Sequence, residues 1–197
     1  SRREAYLALL LQYPQTLERG AQLANASPWA ADYLARHPIL LDELLDTRTL
    51  YAVPDWTQLK SALRNQLAET AGDNERQMDV LRHFKHAQTM HLLAQDIAGE
   101  LPLETLSDHL SDLADLILSE VLRITWQGLR SRHCEQPRFA IIAYGKLGGK
   151  ELGYASDLDL IFLYQDAAPE APENYARLAQ RINNWLTSLT PAGVLYE

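Results

Sequence analysis

The chain lacks the features that mark several large classes of protein. It has one cysteine, Cys134, among 197 residues, which excludes an internal disulfide framework and favours a reducing, cytoplasmic environment. No apolar run approaches the roughly 20 residues that span a bilayer, so we expect no membrane association. The sequence also contains no internal repeat and no low-complexity tract.

Positive charge is scarce as well. The 18 lysines and arginines stand against 26 aspartates and glutamates, which gives a net charge of −8. A nucleic-acid-binding protein normally carries a basic surface, so nucleic acid is not an expected partner, and a small nucleotide or a protein is the favoured substrate. The hydrophobic content of 47% is enough to bury a sizeable core in one large domain or two small ones.

Helical periodicity dominates residues 1–135. Apolar residues recur at spacings of three and four, which indicates one buried helix face, at Leu110, Leu113, Ala114, Ile117, Val121 and Ile124. Residues that typically begin a helix divide the region, at Ser27, Asp55, Asp73 and Thr105 or Ser107. We therefore predict a helical region over residues 1–135.

From residue 136 the pattern changes to strands around a glycine-rich turn. Strands are predicted at residues 139–144 and 158–164, which are β-branched and aromatic and are bounded by turn or polar residues. An acidic, proline-rich stretch at 165–172 predicts a mobile surface loop, followed by a helix over about 173–189 and a strand that begins at Val194. The fold class predicted for the whole chain is α+β.

Two aspartates stand at the start of the second predicted strand. Asp157 and Asp159 are two residues apart, so on a strand they would project to the same side, roughly 6 to 7 Å from one another. Carboxylates this close repel each other, and a hard divalent ion such as Mg²⁺, shared with substrate phosphates, is the usual resolution. The pair therefore predicts a metal site whose natural ligand is a nucleotide.

The turn between the predicted strands suits a phosphate group. Glycines let the backbone approach an anion closely and adopt positive φ, so that N–H groups can point at it, at Gly145, Gly148, Gly149 and Gly153. Lys146 and Lys150 add positive charge, and Ser156 is either a turn residue that bonds local backbone or a phosphate contact. An Asp-x-Asp pair or a glycine pair alone is more often a turn feature, but together, between two strands, they favour a functional site.

Other residues are better explained by structural roles than by catalysis or ligand binding. No cysteine or carboxylate cluster completes a zinc set with His83, His86 and His91, so these are expected to be solvated or core histidines. The tryptophans lie in helical stretches and are expected to fill the core. Acidic residues near the start of a predicted helix are expected to form a solvated face, at Glu100, Glu104, Asp108, Asp112 and Asp115.

The motif order resembles a known superfamily. An apolar strand, Gly145-Lys146 and then Asp157-Leu158-Asp159 resemble the nucleotidyltransferase fold of the DNA polymerase beta superfamily, although Lys146 replaces a small residue. The longer string GKLGGKELGYASDLDLIFLY is similar to the bacterial glutamine synthetase adenylyltransferases, which carry one AMP-removing and one AMP-adding half. The stretch ELGYASDLDLIFLY resembles the C-terminal, AMP-adding half, and the resemblance extends over nearly the whole chain.

The resemblance implies a fold and an activity. Residues 136–197 would be the start of a nucleotidyltransferase core, with a small mixed β-sheet flanked by helices. Asp157 and Asp159 would be catalytic and hold Mg²⁺ or Mn²⁺, while the segment 145–149 cradles the phosphates and Lys146 assists. The reaction would transfer AMP from ATP to a tyrosine of glutamine synthetase, with a PII signalling protein and glutamine as regulators. The alternatives are phosphorolytic removal of AMP and a non-catalytic helical interaction module.

The resemblance also implies a third aspartate and an arginine-rich stretch beyond a segment like Val194 to Glu197. The chain is therefore expected to be a fragment that stops before both, and Glu197 is not expected to replace the third carboxylate. A two-metal site that lacks one ligand should bind nucleotide weakly and turn over poorly.

Overall fold

The structure of the protein is a computed structural model that describes Tyr6, Ala8 and residues 10–196. Glu197 lies outside these residues. The described fold is α+β, as predicted, with helices before and after a small sheet. Within the described residues, no helix is long and apolar enough to cross a membrane.

The elements follow one another in a simple order. The helices whose bounds the structure describes are α1 (Pro14–Ala26), α2 (Pro28–Arg36), α3 (Thr47–Leu50), α4 (Trp56–Glu69), α5 (Asn74–Ile97), α6 (Leu103–Gln127), α7 (Gly145–Gly148) and α8 (Ala171–Thr187). A 3₁₀ turn, Pro38–Leu41, follows α2, and the strands are β1 (Phe139–Ala143) and β2 (Leu160–Tyr164).

Local capping explains where the helices begin. Ser27 Oγ accepts a hydrogen bond from the N–H of Ala30 at the start of α2, at 3.3 Å. Asp55 caps α4, and Asp73 Oδ1 accepts from the N–H of Arg76 in the first turn of α5, at 3.1 Å. These bonds satisfy N–H groups that have no acceptor inside the helix, so the three predicted starts are confirmed.

Helix α6 carries the predicted buried face. It begins at Leu103, slightly before the predicted Thr105 or Ser107. All six apolar residues that define the pattern are buried, at Leu110, Leu113, Ala114, Ile117, Val121 and Ile124. Of the four tryptophans, Trp126 and Trp185 are buried and the other two are half-buried.

The chain divides into two compact units. One consists of the described residues up to Pro54 together with His86–Leu106, and the other of Asp55–Lys85 and the chain from Ser107 onward. The candidate site and both strands belong to the second unit. The boundary predicted between a helical region 1–135 and a core 136–197 remains a prediction.

Two of the three histidines of α5, His86 and His91, belong to the core of the first unit. His86 Nδ1 lies 2.6 Å from the hydroxyl of Tyr33, and His91 Nε2 lies 2.8 Å from Glu43 Oε2. Burial raises the pKa of Tyr33, since the charged phenolate loses its hydration there. His83 is exposed. The prediction of core or solvated histidines is confirmed for all three.

The two strands pair antiparallel. Phe139 lies opposite Tyr164, and Ala143 lies opposite Leu160. Among the described residues the sheet has only these two strands, so the prediction of a mixed sheet is wrong for this part of the chain. The connection between them, residues 144–159, contains a single turn of helix and no crossover helix of the kind that joins parallel strands.

The predicted strand at Val194 is also wrong. The described residues after α8 form an isolated bridge between Thr190 and Gly193 instead. The N–H groups of Leu195 and Tyr196 both donate to the carbonyl of Leu186, at 3.1 and 3.0 Å. The backbone here is therefore tied to the end of α8 and has no strand partner in the described part of the chain.

A buried arginine holds this segment. Arg82 is 0% exposed, and its guanidinium donates to the carbonyls of Gly193 at 2.7 Å, Trp185 at 3.1 Å and Ser188 at 2.5 Å. Burial lowers the pKa of Arg82 and the charge of Asp79 opposes that effect. A single cation thus satisfies several carbonyls that follow or end α8.

A polar network fixes the strands against α8. The hydroxyl of Tyr175 accepts from the N–H of Arg138 at 2.9 Å and donates to Asp166 Oδ2 at 2.8 Å, while His133 Nε2 bonds the same carboxylate oxygen at 2.9 Å. The bond from His133 lowers the pKa of Asp166, and burial raises the pKa of Tyr175 to about 12. Asp166 lies in the predicted surface loop, so this network anchors the loop's first residues.

Candidate functional site

A single helical turn follows β1 and forms one side of the candidate site. The N–H of Gly148 donates to the carbonyl of Tyr144 at 3.0 Å, and the N–H of Gly149 donates to that of Gly145 at 2.9 Å. Residues 145–148 therefore form α7 rather than an open loop. The turn carries the predicted glycines and Lys146 next to the end of the strand.

Gly145 is required by two independent features of the backbone and its surroundings. Its φ is 53°, in the left-handed region that residues with a side chain rarely adopt. A Cβ placed here would lie 2.2 Å from Asp159 Oδ2. The carboxylate of Asp159 therefore packs against the Cα of Gly145, and the fold brings these two predicted site residues into contact.

Gly148 is required by the strand. A Cβ at this position would lie 2.5 Å from the carbonyl oxygen of Ala143, so only glycine lets the turn pack so closely against the end of β1. The other glycines are less constrained, since a Cβ at Gly149 would meet the oxygen of Gly145 at 3.4 Å and one at Gly153 would meet only Ser156 Oγ, at 3.7 Å.

The aspartates precede β2 rather than lying within it. The N–H of Tyr144 donates to the carbonyl of Asp159 at 2.8 Å, which continues the antiparallel pairing by one residue beyond β2. Both Asp157 and Asp159 are exposed. Neither carboxylate has a hydrogen-bond or ion-pair partner in the part of the chain that the structure describes, so both remain open to a ligand from solvent.

The backbone donors of the turn are distributed unevenly. The N–H groups of Gly148 and Gly149 donate within the turn, and those of Lys150 and Glu151 donate to carbonyls of α7 at 3.1 and 2.7 Å. The first N–H groups of a helix have no acceptor inside it. The donors left for an anion are therefore those at the start of the turn, at Gly145, Lys146 and Leu147.

Ser156 forms a local turn. Its Oγ accepts a hydrogen bond from the N–H of Gly153 at 2.9 Å, and its own N–H donates to the carbonyl of Gly153 at 3.2 Å. Of the two predicted roles, this geometry supports the turn residue. A phosphate contact by the same hydroxyl stays a prediction.

The two lysines of the turn differ in their surroundings. Lys146 is exposed on α7. Lys150 has a φ of 55°, and its Nζ lies 3.6 Å from Asp108 Oδ1 on α6. Partial desolvation and the charge of Asp112 raise the pKa of Asp115, while Lys150 opposes them. The acidic face of α6 is thus linked to the glycine turn, a contact that sequence spacing did not predict.

A second group of side chains that could ligate a metal does not include Asp157 or Asp159. The ligand atoms of His133, Cys134 and Asp166 lie within 4.8 Å of one another. His133 already bonds Asp166 through Nε2 and the amide of Asn174 through Nδ1, at 3.0 Å. An ion would have to displace the bond between His133 and Asp166, so the arrangement is explained by the network that holds the strands.

The donor atoms at the candidate site suit a hard cation. Asp157 and Asp159 offer only carboxylate oxygens, and both residues are exposed. Asp159 contacts the turn at Gly145, and the turn supplies N–H donors and the ammonium of Lys146. Mg²⁺ prefers one or two carboxylates together with substrate phosphates. The residues present therefore fit a divalent ion that is shared with a nucleotide.

Comparison with known proteins gives consistent matches. The family model described as glutamate-ammonia ligase adenylyltransferase matches residues 17–197. A relative from Chromobacterium violaceum, named bifunctional glutamine synthetase adenylyltransferase/adenylyl-removing enzyme, is 63% identical over 197 residues, which cover 100% of this chain and 22% of the relative.

Two further relatives carry the same name. The protein from Aromatoleum aromaticum is 62% identical over 100% of this chain and 21% of its own length. The protein from Nitrosomonas europaea is 61% identical over 98% of this chain and 21% of its own length. The chain thus spans about a fifth of the length of these relatives.

Proposed function

The chain belongs to the glutamate-ammonia ligase adenylyltransferase family, and from this premise we propose that it contributes to the transfer of AMP from ATP to a tyrosine of glutamine synthetase. The observation that carries the proposal is the contact between Asp159 and Gly145. A carboxylate packed on a glycine turn, with a second one two residues away and both exposed, is suited to a metal-bound triphosphate.

The residues of the site take separate roles in this proposal. Asp157 and Asp159 hold Mg²⁺ or Mn²⁺, which neutralises charge on the phosphates when it is bound. The segment 145–149 cradles the phosphates, with backbone donors at Gly145, Lys146 and Leu147 and with the ammonium of Lys146 adding positive charge. Ser156 would support the loop or contact a phosphate.

The reaction needs alignment more than covalent catalysis. The tyrosine oxygen of glutamine synthetase forms a bond to the α-phosphorus of ATP, the bond from that phosphorus to the bridging oxygen breaks, and pyrophosphate leaves with the bonding electrons. The phenolic proton passes to solvent or to a base. Rate enhancement then comes from positioning and charge stabilisation.

A second candidate is phosphorolytic removal of AMP from glutamine synthetase. The printed name of the relatives includes an adenylyl-removing activity, and the same carboxylates and turn would bind inorganic phosphate and the departing nucleotide. We place transfer first because the stretch 151–164 resembles the AMP-adding half. Regulation by a PII signalling protein and by glutamine, and a cytoplasmic location, are further proposals that follow from family resemblance.

A chimeric enzyme tests the proposal. The matched region of the full-length Chromobacterium violaceum relative is replaced by this chain, and the product is incubated with glutamine synthetase, Mg²⁺ and ATP labelled at the α-phosphate. Label on the synthetase that disappears in Asp157→Asn supports transfer. Asp42→Asn is the control, because Asp42 is exposed and belongs to the other compact unit.

The other outcomes separate the alternatives. Phosphate-dependent release of AMP attached beforehand, with Asp157→Asn abolishing the release, supports removal. Neither activity in the folded chimera favours the non-catalytic helical module. Full activity in Asp157→Asn would remove this carboxylate from the mechanism.

A further inference from the structure

A second cleft in the same compact unit carries two arginines above an apolar floor. Its volume is about 620 Å³, and it lies between α4, the start of α5 and the end of α6. Arg64 and Arg123 line it together with the apolar side chains of Leu67, Ala68 and Ile124. None of its lining residues belongs to the glycine turn or the aspartate pair.

A buried carboxylate fixes both arginines. Glu120 is 0% exposed, and its Oε1 accepts from Arg64 Nε and its Oε2 from Arg123 Nε, each at 2.7 Å. Both oxygens of the carboxylate are therefore engaged in charge-assisted hydrogen bonds. The three side chains carry two positive charges and one negative charge, so the cleft keeps one positive charge in excess.

The arginines retain donors that the protein does not use. A guanidinium has five N–H groups. Within the residues that the structure describes, Arg64 bonds only through Nε, and Arg123 adds a single bond from Nη1 to Gln127 Oε1 at 3.0 Å. Their side chains are 49% and 34% exposed, so the unused terminal nitrogens are accessible to a ligand.

The aspartate beside the cleft at the start of α5 already has a cationic partner. Asp73, at the start of α5, accepts from the N–H of Arg76 and pairs with its guanidinium at 3.4 Å. The one carboxylate of the triad is saturated by its two partners. A guanidinium held through Nε presents its remaining N–H groups in a plane, which matches the paired oxygens of a carboxylate or phosphate.

We propose that this cleft binds a small oxyanion, a carboxylate or phosphate group on a compact molecule. The oxyanion would bond the terminal nitrogens of Arg64 and Arg123, and the body of the ligand would pack on Leu67, Ala68 and Ile124. The lining residues include no nucleophile and no free carboxylate, so the site binds a ligand without reacting with it. The site is independent of the AMP-transfer proposal.

Binding can be tested with simple probes on the 197-residue chain. Sodium phosphate and sodium acetate are titrated at constant ionic strength against sodium chloride, and the thermal unfolding midpoint is followed. A midpoint that rises and saturates with either oxyanion, but not with chloride, supports the site. Saturation by phosphate alone identifies a phosphate ligand, and saturation by acetate alone identifies a carboxylate ligand.

Two variants and a control locate the effect. Arg64→Lys keeps the positive charge but loses the planar pair of donors, and we expect the apparent affinity to fall about tenfold or more. Ala68→Trp fills the cleft from an exposed position of α4 while retaining all three side chains of the triad, Arg64, Glu120 and Arg123, and should weaken binding at least as much. Arg177→Gln removes an exposed charge of α8 that pairs with Glu173 and should change nothing.

Several results would overturn the proposal. One is an equal shift of the midpoint with chloride, and another is the lack of a saturable shift with either oxyanion. The others are an unchanged affinity for the oxyanion in Ala68→Trp, or a fall in affinity in Arg177→Gln as large as that in Arg64→Lys. The Ala68→Trp result decides the question even where Arg64→Lys unfolds the chain, because Glu120 keeps both of its partners in that variant.

Discussion

Replacing Gly145 by alanine tests whether the glycine turn and Asp159 form one site. The new Cβ would lie 2.2 Å from Asp159 Oδ2 at a residue whose φ is 53°. Cβ atoms almost never approach another atom within 3.0 Å, so the carboxylate or the turn must move by about 0.8 Å or more. The substitution thus strains the backbone and displaces a proposed metal ligand at the same time.

The two effects have different sizes. A left-handed φ destabilises a residue with a Cβ by about 1–2 kcal/mol, while alanine restricts the unfolded chain and recovers about 0.4–1 kcal/mol. We expect the free energy of unfolding to fall by about 1 kcal/mol. Displacing the carboxylate by close to 1 Å should lower AMP transfer by the chimeric enzyme about a hundredfold.

Gly153→Ala is the matched control. It makes the same chemical change in the same loop, but its Cβ would meet only Ser156 Oγ, at 3.7 Å. Urea denaturation should show no loss of stability for Gly153→Ala, and AMP transfer should persist. Equal stability and equal activity in the Gly145 and Gly153 variants would refute the contact between turn and carboxylate.

Two further predictions concern the parts that hold the site. The bond from His133 lowers the pKa of Asp166 below its unfolded value of about 3.9. The ionised Asp166 carboxylate therefore stabilises the folded chain fully above about pH 3.9, and this stabilisation is lost as the pH falls through the folded pKa. Asp166→Asn should therefore flatten the fall in urea midpoint from about pH 5 towards pH 2, and parallel curves would contradict this. Arg82→Met should lower the free energy of unfolding by about 3–5 kcal/mol. Arg76→Met, at an exposed position, should change the free energy of unfolding by at most about 0.5 kcal/mol. Similar losses in the two arginine variants would contradict a stabilising role for the hydrogen bonds of the buried Arg82.

Local signals in the sequence predicted the helices well. Side chains that cap a first turn act within three residues, so Ser27, Asp55 and Asp73 indicated where their helices begin. The periodic face of α6 was equally visible, because burial along one helix depends on spacing alone. The bounds of the strands were predicted less exactly. Leu158 is apolar and was therefore included in the predicted second strand, but β2 begins at Leu160.

The candidate site was predicted in outline but not in its contacts. The order of Gly145, Asp157 and Asp159 indicated a turn beside two carboxylates, and Gly145 does touch Asp159. The pairing of Lys150 with Asp108 joins residues far apart in the chain, so no local pattern could reveal it. The helical form of the turn, which uses the N–H groups of Gly148 and Gly149, likewise depends on how closely β1 packs against it.

Contacts between distant residues also explain what holds the strands in place. His133, which precedes β1, bonds Asp166, which follows β2. The hydroxyl of Tyr175 on α8 donates to the same carboxylate. Each of these residues is unremarkable in its own stretch of sequence. Their function as an anchor for the hairpin follows only from the tertiary fold.

The most direct test of the proposed site is a titration of the chain with Mn²⁺ in the presence of ATP, followed by the electron paramagnetic resonance signal of free Mn²⁺. If Asp157 and Asp159 share the ion with the triphosphate, Asp157→Asn and Asp159→Asn should each weaken ATP-dependent Mn²⁺ binding by about tenfold or more, and Asp42→Asn should leave it unchanged. Binding of equal strength in the wild-type chain and in both carboxylate variants would contradict the site.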